Sequence, residues 1–491
     1  MKHRTSVVLS ILTLFLSVIA CMGQTPPSAE PTPVGSASVT PAVARTQPNP
    51  PPSGDVINPE DLAYLGAFRL PGGEDPPRTF AYGGNAMTFN PDGDPSGAAD
   101  GYPGSLFVMG HDRIAYGAVP DGNQLAEVNI PVPVVSRNIE DLNIAEFIQD
   151  FADVTKGYFT DLEEIPKVAL QYLNHPETGP RIHIAWGQHL QPPDVPSHGW
   201  FNSTLSNPDF QGTWFIGNQN MYSVNGYMFE IPAGWAEAYA GGRPLATGRM
   251  RDGGQGGMGP ALFAYRPWLA DGSPSPAGTR LEETTLLLYE NADSTEEIVR
   301  SLNGYQHPDE WAGGAWLTNS SGKQAVLFAG TKSNGTKYWY GYLNPQGPQY
   351  ACVDAAITDF PTCRNADGSI CPQEDFAGCC NAEQGTCISN RGWWTTRFDA
   401  EFILYDPADL AKVAMRQLEP WQPQPYATID IDEYLYLVPP EWDLVEVGQG
   451  DQRRSRIGDV SFDRASGLLY VLELYGDGAK PIVHVWRLKA D

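Results

Sequence analysis

The sequence, 491 residues long, predicts an exported all-β protein folded as a β-propeller of about five blades, with six as the alternative. Three observations carry this. Short β-rich runs bounded by Gly, Pro, Asn and Asp recur from residue 55 onward, whereas helical periodicity is confined to three brief stretches. A loose repeat joins a small-residue start to an apolar strand, a turn and a second, more apolar strand: YGGNAMTFNP with GSLFVMGHD, GGMGPALFAYRPW with ETTLLLYEN, WAGGAWLTNSSG with KQAVLFAGTK, and RIGDVSFDRASG with LLYVLELYG. The innermost strands of a propeller crowd around its channel, and small residues at their starts let the backbones approach. Finally, the last blade shows three strands ending in PIVHVWRL, and LAYLGAFRLP near residue 65 supplies a fourth, which closes the ring and removes exposed edges. A further blade is read from PKVALQYLNHPETGPRIHIAWGQ together with NGYMFEIP.

Taken in chain order, the N-terminus has a basic start (Lys2, Arg4) and an apolar run from Val7 to Ala20, too short for a comfortable membrane span. Residues 1–20 therefore read as an export signal. The sequence Val18-Ile19-Ala20-Cys21 resembles a bacterial lipobox, which implies lipidation of Cys21 and anchoring to the cell envelope. Residues 21–54 are rich in Pro, Ser, Thr and Ala, cannot bury enough apolar surface to fold, and read as a tether. The folded domain is expected over 55–491.

Three short helices are expected as insertions: NIAEFIQDFADV with Ile144, Phe147, Ile148 and Phe151 at helical spacing, STEEIVRSLNG opened by a Ser294 to Glu297 capping box, and DPADLAKVA capped by Asp406. The segment 352–387 carries Cys352, Cys363, Cys371, Cys379, Cys380 and Cys387. An even count in an exported chain predicts three disulfides in a stapled loop, and the absence of paired C-x2-C units or an internal His disfavours zinc.

A formal net charge of −27 excludes nucleic acid and anionic lipid surfaces as partners, since both demand clustered Lys and Arg. The membrane is expected to be met through the lipid anchor only, and the domain to be monomeric. The combination of YGGNAMTFNP, YSVNGYMFEIPAGWAEA, LATGRMRDGG and GDVSFDRASGLLYVLELYGDG is similar to a family of uncharacterised bacterial exported proteins with propeller-like repeats. The resemblance implies exported β architecture and transfers no catalytic residue.

Candidate chemistry is sparse. In the loop expected after AMTFNP, Asp92, Asp94, Ser96 and Asp100 follow the spacing of the calcium hairpins of integrin-type propellers, with Ser in place of one Asp; the competing reading is an Asp/Gly-rich turn. His111 and Asp112 end an apolar strand and could exchange protons. Arg251 and Asp252 precede a glycine run able to approach an anion, although the strand–P-loop–helix context for a nucleotide is missing. His183, His189 and His198 have no metal spacing. Aromatic runs flank the cysteine segment on both sides, KYWYGYL with Trp339 and RGWW with Trp393 and Trp394, and offer a stacking platform for sugars. Glu163, Glu164, Glu230, Asp399 and Glu401 are carboxylates from which a hydrolytic pair could come. The expectation is a binding lipoprotein for a glycan or another envelope component; the alternatives are a propeller glycoside hydrolase or lyase, and a scaffold for a protein partner.

Overall fold

The computed structural model describes residues 55–73, 78–94, 97–110, 124–155, 157, 167–187, 195–220, 223–249, 257–290, 299–335, 337–339, 393–395, 397–438 and 450–490. Cys21 and the tether, Ser96, His111, Asp112, Glu163, Glu164, His189, Arg251, Asp252, Ser294 to Glu297 and the six cysteines of 352–387 lie outside them.

Strand β1 (Leu62–Arg69) opens the fold. Blade I holds β2 (Met87–Asn90), β3 (Ser105–Met109), β4 (Gln124–Asn129) and β5 (Phe147–Asp153), and blade II holds β6 (Lys167–His175), β7 (Gly179–Gly187), β8 (His198–Phe201) and β9 (Gln211–Ile216). Blade III comprises β10 (Tyr227–Glu230), helix α1 (Ala233–Tyr239), β11 (Leu245–Gly248), β12 (Ala261–Tyr265) and β14 (Glu283–Leu288), while the short β13 (Arg280–Leu281) joins β9 of blade II in parallel. Blade IV is β15 (Glu310–Thr318), β16 (Gln324–Ser333), β19 (Phe398–Tyr405) and β20 (Ala427–Asp430), with a ribbon of β17 (Lys337–Trp339) and β18 (Trp393–Thr395) between its middle strands and helix α2 (Pro407–Ala414) before its last. Blade V is β21 (Ile457–Asp463), β22 (Leu468–Asp477) and β23 (Lys480–Leu488), completed by β1 in antiparallel register from Leu62 opposite Leu488 to Arg69 opposite Ile482. The expected closure of the two ends is therefore present.

Strands β2, β6, β10, β15 and β21 neighbour one another in a closed ring around the channel. Five apolar clusters fill the gaps between successive blades, for example Phe328, Tyr405, Phe229 and Leu262 between blades III and IV, and Val471, Trp486, Phe402 and Leu327 between blades IV and V. Inner strands leave one edge unpaired by their own blade, and a buried N–H needs an acceptor. Neighbouring inner strands supply it: Met87 N donates to Asp459 Oδ2 (2.9 Å), Phe89 N to Ser461 Oγ (2.8 Å) and Tyr172 N to Thr88 Oγ1 (2.7 Å). The small-residue starts have the expected cause, because a Cβ on Gly458 would stand 1.9 Å from the carbonyl oxygen of Gly84. Near the far end of the inner strands Phe229, Trp316 and Phe462 line a small cavity of about 30 Å³, where Arg464 also pairs with Glu230 at 2.8 Å.

Two expectations are corrected. NIAEFIQDFADV is strand β5, not a helix: Phe147 and Phe151 pack on Phe80, and pairing along β4 satisfies its backbone, so tertiary pairing overrides a short helical spacing. NGYMFEIP does not complete the blade of PKVALQYL but opens the next one as β10, and GGMGPALFAY contributes its third strand rather than its first. Helix α2 is as expected, with Asp406 Oδ1 accepting from Ala408 N at 2.8 Å. Residues 299–304 of the helix expected over STEEIVRSLNG are non-helical, with Arg300 at φ 48°. Among the described residues no helix is long and apolar enough to cross a membrane.

Candidate functional site on blades IV and V

Antiparallel pairing brings the start of β15, the end of β16, the start of β19 and the end of β20 to one end of blade IV, beside the N-terminal end of β21. This end gathers an unusual density of charge. Glu310, first residue of β15, accepts from Arg454 Nη2 (2.7 Å) and Ser455 Oγ (3.3 Å), and all three residues are buried. Arg456 donates to Asp432 Oδ1 (2.6 Å) and to the Arg453 carbonyl (2.8 Å), while its own N–H goes to Thr331 Oγ1 (2.9 Å). Arg453 is turned among the carbonyls of Val438, Leu474 and Tyr475. Burying guanidinium groups is tolerable only with such acceptors.

On the side of blade IV that faces blade III, alternation along β19 aligns Asp399 and Glu401 with the core residues Ile403 and Tyr405. Lys332 stands opposite Asp399 in register, and Asp430 opposite Glu401. Lys332 Nζ donates to Asp309 Oδ1 at 3.0 Å, and burial pushes the Asp309 carboxyl up despite that partner. One amide joins the next two carboxylates: Asn334 Nδ2 donates to Asp399 Oδ2 (2.6 Å) and Glu401 Oε1 (3.2 Å). Arg397 Nε holds the other oxygen of Asp399 at 2.8 Å. Burial pushes the Glu401 carboxyl up to about 7, reinforced by the charges of Asp309 and Asp399 and opposed by Asn334 and Lys332. Glu401 is half-buried and Asp430 exposed, so the group opens to solvent. Such an arrangement provides, at Glu401, a carboxylic acid that keeps its proton towards neutral pH. Oxygens of Asp399, Asp430 and Asp432 also lie within 4.8 Å of one another, close enough to share a cation.

The ribbon β17–β18 grows out of the strands that carry these carboxylates. Asn334 N donates to the Arg397 carbonyl (2.9 Å) and Gly335 N to Thr395 Oγ1 (3.1 Å), after which Lys337, Tyr338 and Trp339 pair with Thr395, Trp394 and Trp393. The backbone register thus sets Trp339 opposite Trp393 and Tyr338 opposite Trp394, on a ribbon whose chain continues into the strands that carry Asp399 and Glu401.

Other expected residues are not brought to this place. Asp92, Asp94 and Asp100 lie on the β2–β3 loop at the opposite face, where Asp92 Oδ2 accepts from Tyr172 Oη (3.0 Å) and Asp100 Oδ1 from Tyr102 N (2.9 Å). Glu230 pairs with Arg464 at 2.8 Å beside the small cavity near the far end of the inner strands. His183 and His198 are buried on blade II, where burial pushes both imidazoles down to about 3. Sequence reasoning missed Glu310, Lys332 and the arginines of QRRSR. Three arginines within four residues, in a chain with 31 Lys and Arg, were the available signal.

No protein-family model and no curated protein matches this sequence. Among solved structures the chain is similar to an α-L-arabinofuranosidase of Fusarium graminearum in complex with an iminosugar inhibitor, at 9% identity over 87% of this chain and 98% of that one, with a TM-score of 0.32. It is likewise similar to the PQQ domain of a pyranose dehydrogenase of Coprinopsis cinerea, at 12% identity over 90% and 98% of the chains, with a TM-score of 0.30. Likenesses this remote carry no argument about the site; the five-bladed arrangement rests on strand pairing alone.

Proposed function

We propose that this is an exported propeller, lipid-anchored through Cys21 and stapled by disulfides in 352–387, that binds a glycan or another envelope component on blade IV. The observation that supports it is the continuity of the aromatic ribbon, with Trp339 opposite Trp393, with the strands bearing Asp399 and Glu401. Aromatic residues on a ribbon continuous with strands rich in carboxylates and amides suit the apolar faces and hydroxyl edges of sugars.

A second reading, cleavage of the bound glycan, is favoured by Glu401. In that reading its protonated carboxyl donates to the leaving glycosidic oxygen, and the exposed Asp430 carboxyl group, opposite it across the strand pair, is the second member of the carboxyl pair. Asp399, fixed by Arg397, positions Asn334 against Glu401.

The test incubates the fragment 55–491 with a panel of neutral polysaccharides and assays retention and new reducing ends together. Retention that disappears in Trp393→Ala/Trp394→Ala supports the binding reading. New ends that disappear in Glu401→Gln, with retention intact, support cleavage. Retention indifferent to both tryptophans removes the blade IV site.

A further inference from the structure

A second groove lies on the outer rim of blade III, with a volume of about 420 Å³, lined among others by Asn218, Gln219, Asn220, Glu290, Pro420 and Trp421. This falls in the range of small-ligand sites and accommodates one or two sugar rings. Its hydrogen-bonding groups are incompletely used. The Asn218 side chain is exposed and makes no intramolecular hydrogen bond among the described residues. Asn220 spends its carbonyl on Ser223 N (3.1 Å) and Ser223 Oγ (3.3 Å), which leaves its NH2 group for a ligand. Gln219 spends its NH2 group on Glu283 Oε1 (2.7 Å), which leaves its carbonyl. The indole of Trp421 is partly buried on the core, and its N–H makes no intramolecular bond among the described residues.

Charge in the groove is balanced. Glu290 pairs with Arg300 at 2.5 Å, and the Arg300 guanidinium lies 5.5 Å from the Trp421 ring centre, which fixes the indole against its neighbours. Among the described residues a cationic or anionic ligand thus finds no uncompensated partner, and an apolar one would leave amides buried without hydrogen bonds. Donors and acceptors set side by side on a short apolar floor match the vicinal hydroxyls of an uncharged sugar.

We propose that this rim groove is a second binding site, for a neutral oligosaccharide, separate from blade IV and independent of the reading given to it. The test uses the full chain in a sugar-free zwitterionic detergent, with xylohexaose, cellohexaose, maltohexaose and galactohexaose as probes, by saturation-transfer NMR and calorimetry. The parent for the experiment carries Trp393→Ala/Trp394→Ala, the pair on which retention at blade IV is proposed to depend. At least one probe is expected to bind it, roughly tenfold more weakly after Asn218→Ala, the loss of about one hydrogen bond. Trp421→Phe keeps the packing while removing the N–H donor, and it is expected to weaken binding without lowering the melting temperature. Binding by none of the four probes, or equal binding by parent, Asn218→Ala and Trp421→Phe, overturns the proposal. Binding by the natural chain that vanishes in the tryptophan double variant assigns the affinity to blade IV and overturns it as well.

Discussion

Replacing His183 with Leu should flatten the acid side of the stability curve. Its imidazole is fully buried, edge-on to Trp200 at 5.4 Å and beside Trp268 at 6.0 Å, and neither ring nitrogen has a hydrogen-bond partner. Burial, helped by the charges of Arg181, His198 and His175, pushes it down to about 3. An unfolded chain takes up the proton near pH 6.5, so the fold pays nothing above that value. As pH falls below 6.5 the unfolded state binds a proton that the folded state refuses, and stability drops until about pH 3. At roughly 1.4 kcal/mol per pH unit, this single residue withdraws about 2 kcal/mol between pH 7.5 and pH 5. At neutral pH, Leu removes two unsatisfied nitrogens, which offsets the lost ring contacts, so the variant should lie within about 1 kcal/mol of the parent there. Urea unfolding of both proteins at the two pH values reads the difference directly. Equal losses of stability between pH 7.5 and pH 5 would refute the reasoning, since they would mean that the buried imidazole is protonated as readily as a free one.

Gly458→Ala should destabilise the ring of inner strands by about 1–3 kcal/mol, visible as a lower melting temperature, because its Cβ would meet the Gly84 carbonyl at 1.9 Å. Glu473→Ala should cost about 3–5 kcal/mol. Its carboxylate accepts from Tyr436 N (3.0 Å) and Leu437 N (2.7 Å) and holds His484 (2.8 Å), whose other nitrogen meets Tyr64 Oη (3.0 Å); limited proteolysis should then cut near residues 436–437 before any other described segment. If blade IV cleaves glycans, the activity should fall as pH rises through about 7, because Glu401 then loses the proton it must donate, and Glu401→Gln should abolish turnover while leaving the melting temperature within a few degrees. A calcium site at Asp92, Asp94, Ser96 and Asp100 would raise the melting temperature in millimolar Ca²⁺ relative to EDTA; identical values remove that site.

The sequence by itself determined the elements whose cause is local. Alternating apolar runs marked the strands, Asp406 before Pro407 marked the start of α2, and glycines before AMTF and DVSF marked strands that must approach closely. It also showed that LAYLGAFR could close the last blade, since four edge-matched strands were needed and only three lay at the C-terminus. Tertiary structure alone decided the rest. The same few residues of β5 satisfy a helical or a strand pattern, and only β4 and Phe80 choose between them. Asp399 and Glu401 were two carboxylates among many in the sequence. What distinguishes them is register: the pairing of β16, β19 and β20 sets Lys332, Asn334 and Asp430 around them and removes enough water to hold a proton on Glu401. Desolvation and charge proximity depend on residues dozens of positions apart, as with Glu310 and Arg454 on adjacent blades, and no local pattern encodes that distance.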